Sequence, residues 1–173
     1  ETVVADLAAT LFGGPDVWLM YEQIWLKDGA DTRRTPWHQD LPYLPAQGED
    51  LVVFWINLDP VAKADSLEFV RGSHRGPLYN PSAFNPDDES ANLFDPATWP
   101  PLPAIEQARD HFDILSWDIT PGDVVAFHPA MLHGGAPTRL GTRRRTLSVR
   151  FFGEDARVAR RPHDGMANVD GLK

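Results

Sequence analysis

Residues 51–58 have the sequence LVVFWINL, an apolar run that predicts a β-strand buried on both faces. Working outward along the chain, other short segments are rich in β-branched and aromatic residues or alternate in polarity. They predict further strands at 17–26, 67–70, 123–128 and 146–152. Glycine and proline turns separate these segments. Many short strands joined by such turns favour a β-sandwich or barrel over a βαβ fold.

Helical structure is predicted for only a small part of the chain. Apolar residues recur at helical spacing over 3–12, and Gly13-Gly14-Pro15 then ends the helix. Segment 77–112 contains seven prolines, which exclude a regular core element there. We expect this segment to be either a substrate lid or a surface loop without function, and its Trp99 indicates that part of it packs down. The tail, residues 154–173, is expected to be loosely ordered.

Length and composition indicate one globular domain over residues 1–173. The chain is 42% apolar and 24% charged, and it has no cysteine, which excludes disulfides, zinc fingers and thiolate catalysis. Any bound metal must therefore be held by histidines and carboxylates. No apolar run approaches the roughly 20 residues of a membrane span, and no signal peptide is visible, so we expect no membrane partner and a cytoplasmic location.

The net charge of −9 is unevenly distributed along the sequence. Residues 1–138 carry −14 and residues 139–173 carry +5. An acidic body repels phosphate backbones, so nucleic-acid binding is disfavoured. The basic stretch 139–161 is either a local anion site or a strand with solvated arginines.

The tetrapeptide Trp37-His38-Gln39-Asp40 is the sharpest local feature. On a strand, residues i and i+2 point to the same face, so His38 and Asp40 would present an imidazole and a carboxylate side by side. The pair is the two-ligand half of a metal site; the alternatives are a buried histidine satisfied by a nearby aspartate, or two polar surface residues. His133, in MLHGGAP, is the candidate third ligand, while His128 and His74 remain alternatives for which structural roles are favoured.

Two histidines and one carboxylate leave positions open on an octahedral ion, as in mononuclear non-haem Fe(II) oxygenases. A dicarboxylate co-substrate would need a cation at its far end. Arg144 can supply it, with Arg143 and Arg145 as rivals by position. Alternation along the strand would place Arg144, Thr146 and Ser148 on one face and their neighbours on the other.

Four motifs in order resemble the phytanoyl-CoA dioxygenase family over about residues 17–153: WHQDLPYLP, LEFVRGSHR, PGDVVAFHPAMLHGGAP and RRRTLSVRF. The resemblance implies a mainly β fold, the double-stranded β-helix or jelly roll, with flanking helices. It also implies an enzyme that uses Fe(II), 2-oxoglutarate and O2. Family members usually carry a longer N-terminal portion, so we expect this chain to begin inside that region.

Carried over by position, the resemblance implies roles for eight residues. The iron ligands would be His38, Asp40 and His133, and Arg144 would bind the far carboxylate of 2-oxoglutarate. The positions matching other pocket residues are Ser148, Lys27, Gln39 and Trp55. Many members have serine two residues after the second histidine, where this chain has Gly135.

The implied reaction is hydroxylation of a small organic substrate, with release of succinate and CO2. One alternative is a metal-dependent jelly-roll enzyme that does not use 2-oxoglutarate, and unchanged turnover of Arg144→Ala would favour it. The other is a non-catalytic binding module on the same fold, which succinate formation would exclude.

Overall fold

The computed structural model describes residues 2–28, 33–85, 87–88 and 91–162 of the chain. One α-helix and ten strands are described in this part: α1 Val3–Phe12, β1 Trp18–Asp28, β2 Thr35–His38, β3 Ala46–Gln47, β4 Leu51–Asn57, β5 Leu67–Val70, β6 Ile114–Leu115, β7 Val124–Phe127, β8 His133–Gly135, β9 Arg143–Phe152 and β10 Arg157–Val158. Four short 3-10 helices lie at Leu41–Tyr43, Lys63–Asp65, Ser73–Arg75 and Glu106–His111. No helix within it is both long and apolar enough to cross a membrane.

The strands form two four-stranded antiparallel sheets and a small two-stranded one. The first sheet has the order β1-β9-β4-β7 and the second the order β2-β8-β5-β6, while β10 pairs with β3. Val53 of the first sheet packs against Leu67 and Phe69 of the second, so the two large sheets are layered face to face. This arrangement confirms the predicted mainly β jelly roll.

Strand β4 is buried on both faces, as its sequence predicts. Val53 faces the second sheet, whereas Val52 and Phe54 face outward and are covered by α1 through Ala8. Phe54 is 1% exposed, and burying such a side chain contributes about 1.5–3 kcal/mol. The core therefore extends through the first sheet to the helix behind it.

Helix α1 begins and ends where its sequence signals lie. The Thr2 hydroxyl accepts a hydrogen bond from the Ala5 N–H, and Gly13 ends the helix in the left-handed conformation at φ 76°. Only glycine adopts that conformation without steric cost. The predicted helix over residues 3–12 is confirmed.

Segment 77–112 has no strand of its own among its described residues, but it folds on itself and packs on the body, where Ile105 clusters with Trp37 of β2. Asn80 and Phe94 exchange two hydrogen bonds, from Asn80 Nδ2 to the Phe94 carbonyl and from the Phe94 N–H to Asn80 Oδ1. Trp99 packs on Phe94 with ring centroids 4.9 Å apart, and Ile105 is 1% exposed. The expectation that part of this segment packs down is confirmed.

The first part of the tail is more ordered than expected. Strand β10 pairs with β3, and the Arg161 guanidinium donates to the carbonyls of Leu41, Leu44 and Ala46. Residues 163–173, the remainder of the predicted loose tail, lie outside the described residues.

Candidate metal centre and active site

Pairing of β2 with β8 brings two histidines together. His38 at the end of β2 is in register with His133 at the start of β8, and their ring centroids are 4.2 Å apart. A Cβ atom on Gly134 would lie only 3.0 Å from the Thr35 carbonyl oxygen, so glycine is what allows β8 to approach β2 this closely.

Asp40 reaches the histidines from a turn and not from a strand, so the prediction of two ligands side by side on one strand is wrong in this respect. Its backbone is helical, φ −71° and ψ −34°, at the start of the 3-10 turn Leu41–Tyr43. The turn forms because Pro42 favours it and because the Leu41 N–H donates to the Pro129 carbonyl at 2.9 Å.

The three side chains nevertheless converge. Asp40 Oδ1 lies 3.5 Å from His38 Nε2 and 3.7 Å from His133 Nε2. One potential ligand atom from each residue lies within 4.8 Å of the other two, and no other such cluster of three exists in the described part of the chain.

Backbone carbonyls fix the orientation of both imidazole rings. Nδ1 of His38 is 2.8 Å from the Pro36 carbonyl oxygen, and Nδ1 of His133 is 2.8 Å from that of Met131. A carbonyl only accepts, so each Nδ1 must carry a proton. In a neutral ring this leaves the Nε2 lone pair directed toward Asp40 and available to a metal.

The electrostatic environment favours a neutral ring at His133 and an ionised carboxylate at Asp40, the states that a metal requires. Burial, and then the charge of His38, lower the pKa of His133 to about 4, so its ring is neutral at physiological pH. Burial would raise the pKa of Asp40, but His38, His133 and Arg150 outweigh it and hold that pKa well below its usual range. Imidazole nitrogens and one ionised carboxylate form a donor set that fits Fe(II).

The three residues open into a cavity of about 400 Å³ between the two large sheets. Alternate residues of β1 form one wall of it, as expected for one face of a strand. Its lining is mostly aromatic, aliphatic and cationic: Tyr21, Gln23, Trp25, Lys27, Thr35, His38, Asp40, Tyr43, Leu44, Trp55, Leu67, Phe84, Phe127, His133, Ala136, Arg144 and Arg150.

Among the three neighbouring arginines of β9, only Arg144 faces this cavity. It is 7% exposed, and its guanidinium donates to the carbonyls of Ala136 at 2.6 Å and Asp65 at 2.8 Å. Arg143 is exposed, and Arg145 forms an ion pair with Asp59 at 2.6 Å on the other face. The alternation predicted for this strand is confirmed, with Thr146 and Ser148 buried beside Arg144.

Lys27 adds a second cation beside Arg144. Its Nζ donates to the Ala136 carbonyl at 3.1 Å, the same oxygen that Arg144 binds. Burial, and then the charge of Arg144, lower the pKa of Lys27 to about 8. Because this shared acceptor is neutral, it does not balance the two positive charges, and an anionic group would bind beside them.

Of the other three predicted pocket residues, one lines the cavity and two do not. Trp55 lines the cavity. Gln39 does not, because its amide is turned away and bonds to the backbone of Pro77, Tyr79 and Ala130. Ser148 is fully buried and is not among the lining residues, although Arg150 binds its hydroxyl.

The alternative ligands His128 and His74 do not join the cluster. Both ring nitrogens of His128 are used, one accepting from the Ala130 N–H and the other facing the Gly48 carbonyl. Gly135, the position where the resemblance leads us to expect serine, has φ 83°, and a Cβ there would lie 3.2 Å from the Ser66 carbonyl oxygen. The backbone at this position therefore disfavours serine.

Sequence reasoning missed Arg150 and the two aromatic residues next to His38. Arg150 could have been found by extending the alternation of β9 two residues past Ser148. Tyr43 and Phe84 contact the His38 ring, with centroids 6.4 and 5.3 Å away. No local pattern marks Phe84, because it lies in the proline-rich segment and reaches the site through the tertiary fold.

Comparisons with known proteins identify the family of this chain. The family model described as Phytanoyl-CoA dioxygenase (PhyH) matches residues 1–146. A probable phytanoyl-CoA dioxygenase of Caenorhabditis elegans is 27% identical over 159 residues, covering 88% of this chain and 48% of that protein. The chain thus spans about half the length of the curated relatives it matches.

Two solved structures share the fold. The epimerase SnoN, in complex with Fe3+, alpha ketoglutarate and nogalamycin RO, superposes with a TM-score of 0.70 at 19% identity, covering 98% of this chain and 62% of that one. SnoK, a non-heme alpha ketoglutarate dependent carbocyclase, gives 0.68 at 21% identity, with 94% and 59% covered. The ligands of SnoN agree with the predicted cofactors, iron and 2-oxoglutarate. The family match over residues 1–146 establishes that this chain belongs to the phytanoyl-CoA dioxygenase family.

Proposed function

We propose that this chain is the oxygenase core of an Fe(II)- and 2-oxoglutarate-dependent dioxygenase that hydroxylates a small organic molecule. One observation carries the proposal: His38, Asp40 and His133 converge at one end of a cavity into which Arg144 also faces. Family membership and the cofactors named for SnoN support it.

Some of these residues would bind the metal and others the co-substrate. His38 and His133 would hold the metal through Nε2 and Asp40 through a carboxylate oxygen. Arg144, with Lys27 beside it, would bind the far carboxylate of 2-oxoglutarate and so fix its orientation. When bound, iron supplies activation of O2 together with oxidative decarboxylation of 2-oxoglutarate to succinate and CO2.

The cavity walls would position the substrate and exclude water. Trp25, Tyr43, Phe84 and Phe127 present aromatic faces, which suit an apolar or ring-containing molecule. SnoN is an epimerase and SnoK a carbocyclase on a similar fold, so the fold by itself does not fix the reaction outcome. Hydroxylation is the outcome we propose here.

The experiment is a succinate-formation assay with Fe(II), 2-oxoglutarate and a panel of small molecules. The wild-type chain should release succinate, and His133→Ala should reduce the rate roughly 10²-fold or more, because it removes a ligand. His111→Ala, which changes an exposed histidine, is the matched control and should behave as wild type. Absence of succinate from a folded, iron-loaded wild type would contradict the proposal.

A further inference from the structure

Arg150 is a buried arginine of β9 that lies directly against Asp40. It is 5% exposed, and its Nη2 donates to Asp40 Oδ2 at 3.0 Å. Its Nη1 donates to the Ser148 hydroxyl at 3.1 Å, and the guanidinium carbon lies 4.6 Å from the centre of the Tyr21 ring. A carboxylate, a hydroxyl and a ring face therefore hold the guanidinium in place.

The two oxygens of Asp40 consequently face different partners. Oδ1 lies 3.5 Å from His38 Nε2 and 3.7 Å from His133 Nε2, whereas Oδ2 accepts from Arg150. A charge-assisted hydrogen bond of this kind is among the stronger ones in proteins. It leaves a single oxygen of Asp40 directed to the centre of the cluster.

The pairing of Arg150 with Asp40 does not satisfy all the hydrogen-bond donors of the guanidinium. Arg150 Nε is buried and has no hydrogen-bond partner within the described part of the chain. A two-bond fork would engage both carboxylate oxygens and would satisfy more of the guanidinium donors. The observed single bond holds Oδ2 and leaves Oδ1 to the imidazole side.

We propose that Arg150 is a positioning residue that restricts Asp40 to binding the metal through one oxygen, and that it thereby keeps a coordination position open for the co-substrate and O2. The inference rests on the proposed function. Three single-atom ligands leave three of six octahedral positions, enough for a chelating co-substrate and O2. A carboxylate that bound through both oxygens would leave one position too few.

Ser148 acquires a role in this arrangement. It is fully buried, and its hydroxyl accepts from the same guanidinium that holds Asp40. The polar residue predicted on this face of β9 thus supports the arginine, which in turn orients the metal ligand.

The test uses Mn²⁺ as the metal probe and compares wild type with Arg150→Met, Arg150→Lys and Arg145→Met. Line broadening by ¹⁷O-labelled water in the Mn²⁺ paramagnetic resonance spectrum counts metal-bound waters, and calorimetry gives the Kd of 2-oxoglutarate. Arg150→Met should lose one bound water and raise that Kd roughly 10–100-fold, the usual effect of removing a partner of a metal ligand.

The other variants separate this role from a structural one. Arg150→Lys should restore most of the 2-oxoglutarate affinity, because an ammonium can still bind Oδ2. Arg145→Met removes the same side chain from the opposite face of β9 and should match wild type. If Arg150→Met does not fold by thermal melting, Arg150→Gln replaces it, with the same expected loss of one water.

Two results would overturn the inference in distinguishable ways. An unchanged water count and an unchanged 2-oxoglutarate Kd in the folded variant would remove the role of Arg150 while leaving the proposed function intact. A wild-type chain that binds neither Mn²⁺ nor 2-oxoglutarate would remove the proposed function itself.

Discussion

At the scale of single residues, the site is prepared for a metal by very local contacts. In both His38 and His133, the ring Nδ1 bonds to the carbonyl of the residue two positions earlier, Pro36 and Met131. The orientation of each imidazole ring is therefore fixed by backbone that lies next to it in the sequence. Asp40 differs, because its carboxylate depends on Arg150, which lies 110 positions away along the chain.

Arg144 provides the residue-scale prediction. Arg144→Met should raise the KM for 2-oxoglutarate by about 30-fold or more, because loss of one partner of a buried charge pair costs about 2 kcal/mol or more. Succinate formation at varied 2-oxoglutarate measures this change. Arg143→Met, one residue away and exposed, is the control. An unchanged KM would instead assign Arg144 only to holding the backbone at Asp65 and Ala136.

At the scale of elements, the contact between β2 and β8 assembles the centre. The two strands meet at His38 and His133, and Gly134 lies between them against the backbone of Thr35 and Pro36. Sequence patterns predicted β4, β5 and β9 well because each has a clear apolar run or alternation. They predicted Asp40 on a strand, which is wrong, since the backbone bond from Leu41 to Pro129 turns the chain there.

The β2–β8 contact gives the element-scale prediction. Gly134→Ala would place a Cβ 3.0 Å from the Thr35 carbonyl oxygen and force the strands apart. We expect a loss of about 1–3 kcal/mol in the free energy of unfolding, the usual cost of overpacking, together with weaker Mn²⁺ binding. Urea denaturation and metal titration measure the two effects. In the control Gly14→Ala the new Cβ meets nothing within 4 Å, so neither the stability nor the Mn²⁺ affinity should change. A Gly134→Ala protein with the Mn²⁺ affinity of wild type would count against a site built by the β2–β8 contact.

At the scale of the whole molecule, an acidic chain encloses a cationic cavity. The net charge is −9, yet Lys27, Arg144 and Arg150 line the cavity, and Asp40 is the single carboxylate among its described lining residues. The arginines of the basic stretch 139–161 have two kinds of environment. Arg144 and Arg150 face inward, whereas Arg139 and Arg145 form ion pairs with Asp65 and Asp59.

The lowered pKa of Lys27 predicts a pH dependence of co-substrate binding. Below a pKa of about 8 the side chain is an ammonium that attracts a carboxylate, and above it this charge is lost. The affinity for 2-oxoglutarate should therefore fall as pH rises, by about 3- to 10-fold between about pH 7 and pH 9. Calorimetry on the Mn²⁺-loaded protein measures it. Lys27→Met should abolish the dependence, whereas Lys63→Met, an exposed lysine, should retain it; a flat profile in the wild type would exclude this role of Lys27.

Local sequence patterns predict five of the ten described strands, namely β1, β4, β5, β7 and β9, as well as helix α1. They also mark His38, Asp40, His133 and Arg144 as candidates, because periodicity and ligand chemistry are properties of short segments. Tertiary packing brings these residues into one cavity, turns Gln39 away from it and places Phe84 against His38. It also decided that Arg150 binds one oxygen of Asp40. These contacts join residues up to 110 positions apart, and a pattern confined to one segment carries no information about which distant segment will pack against it.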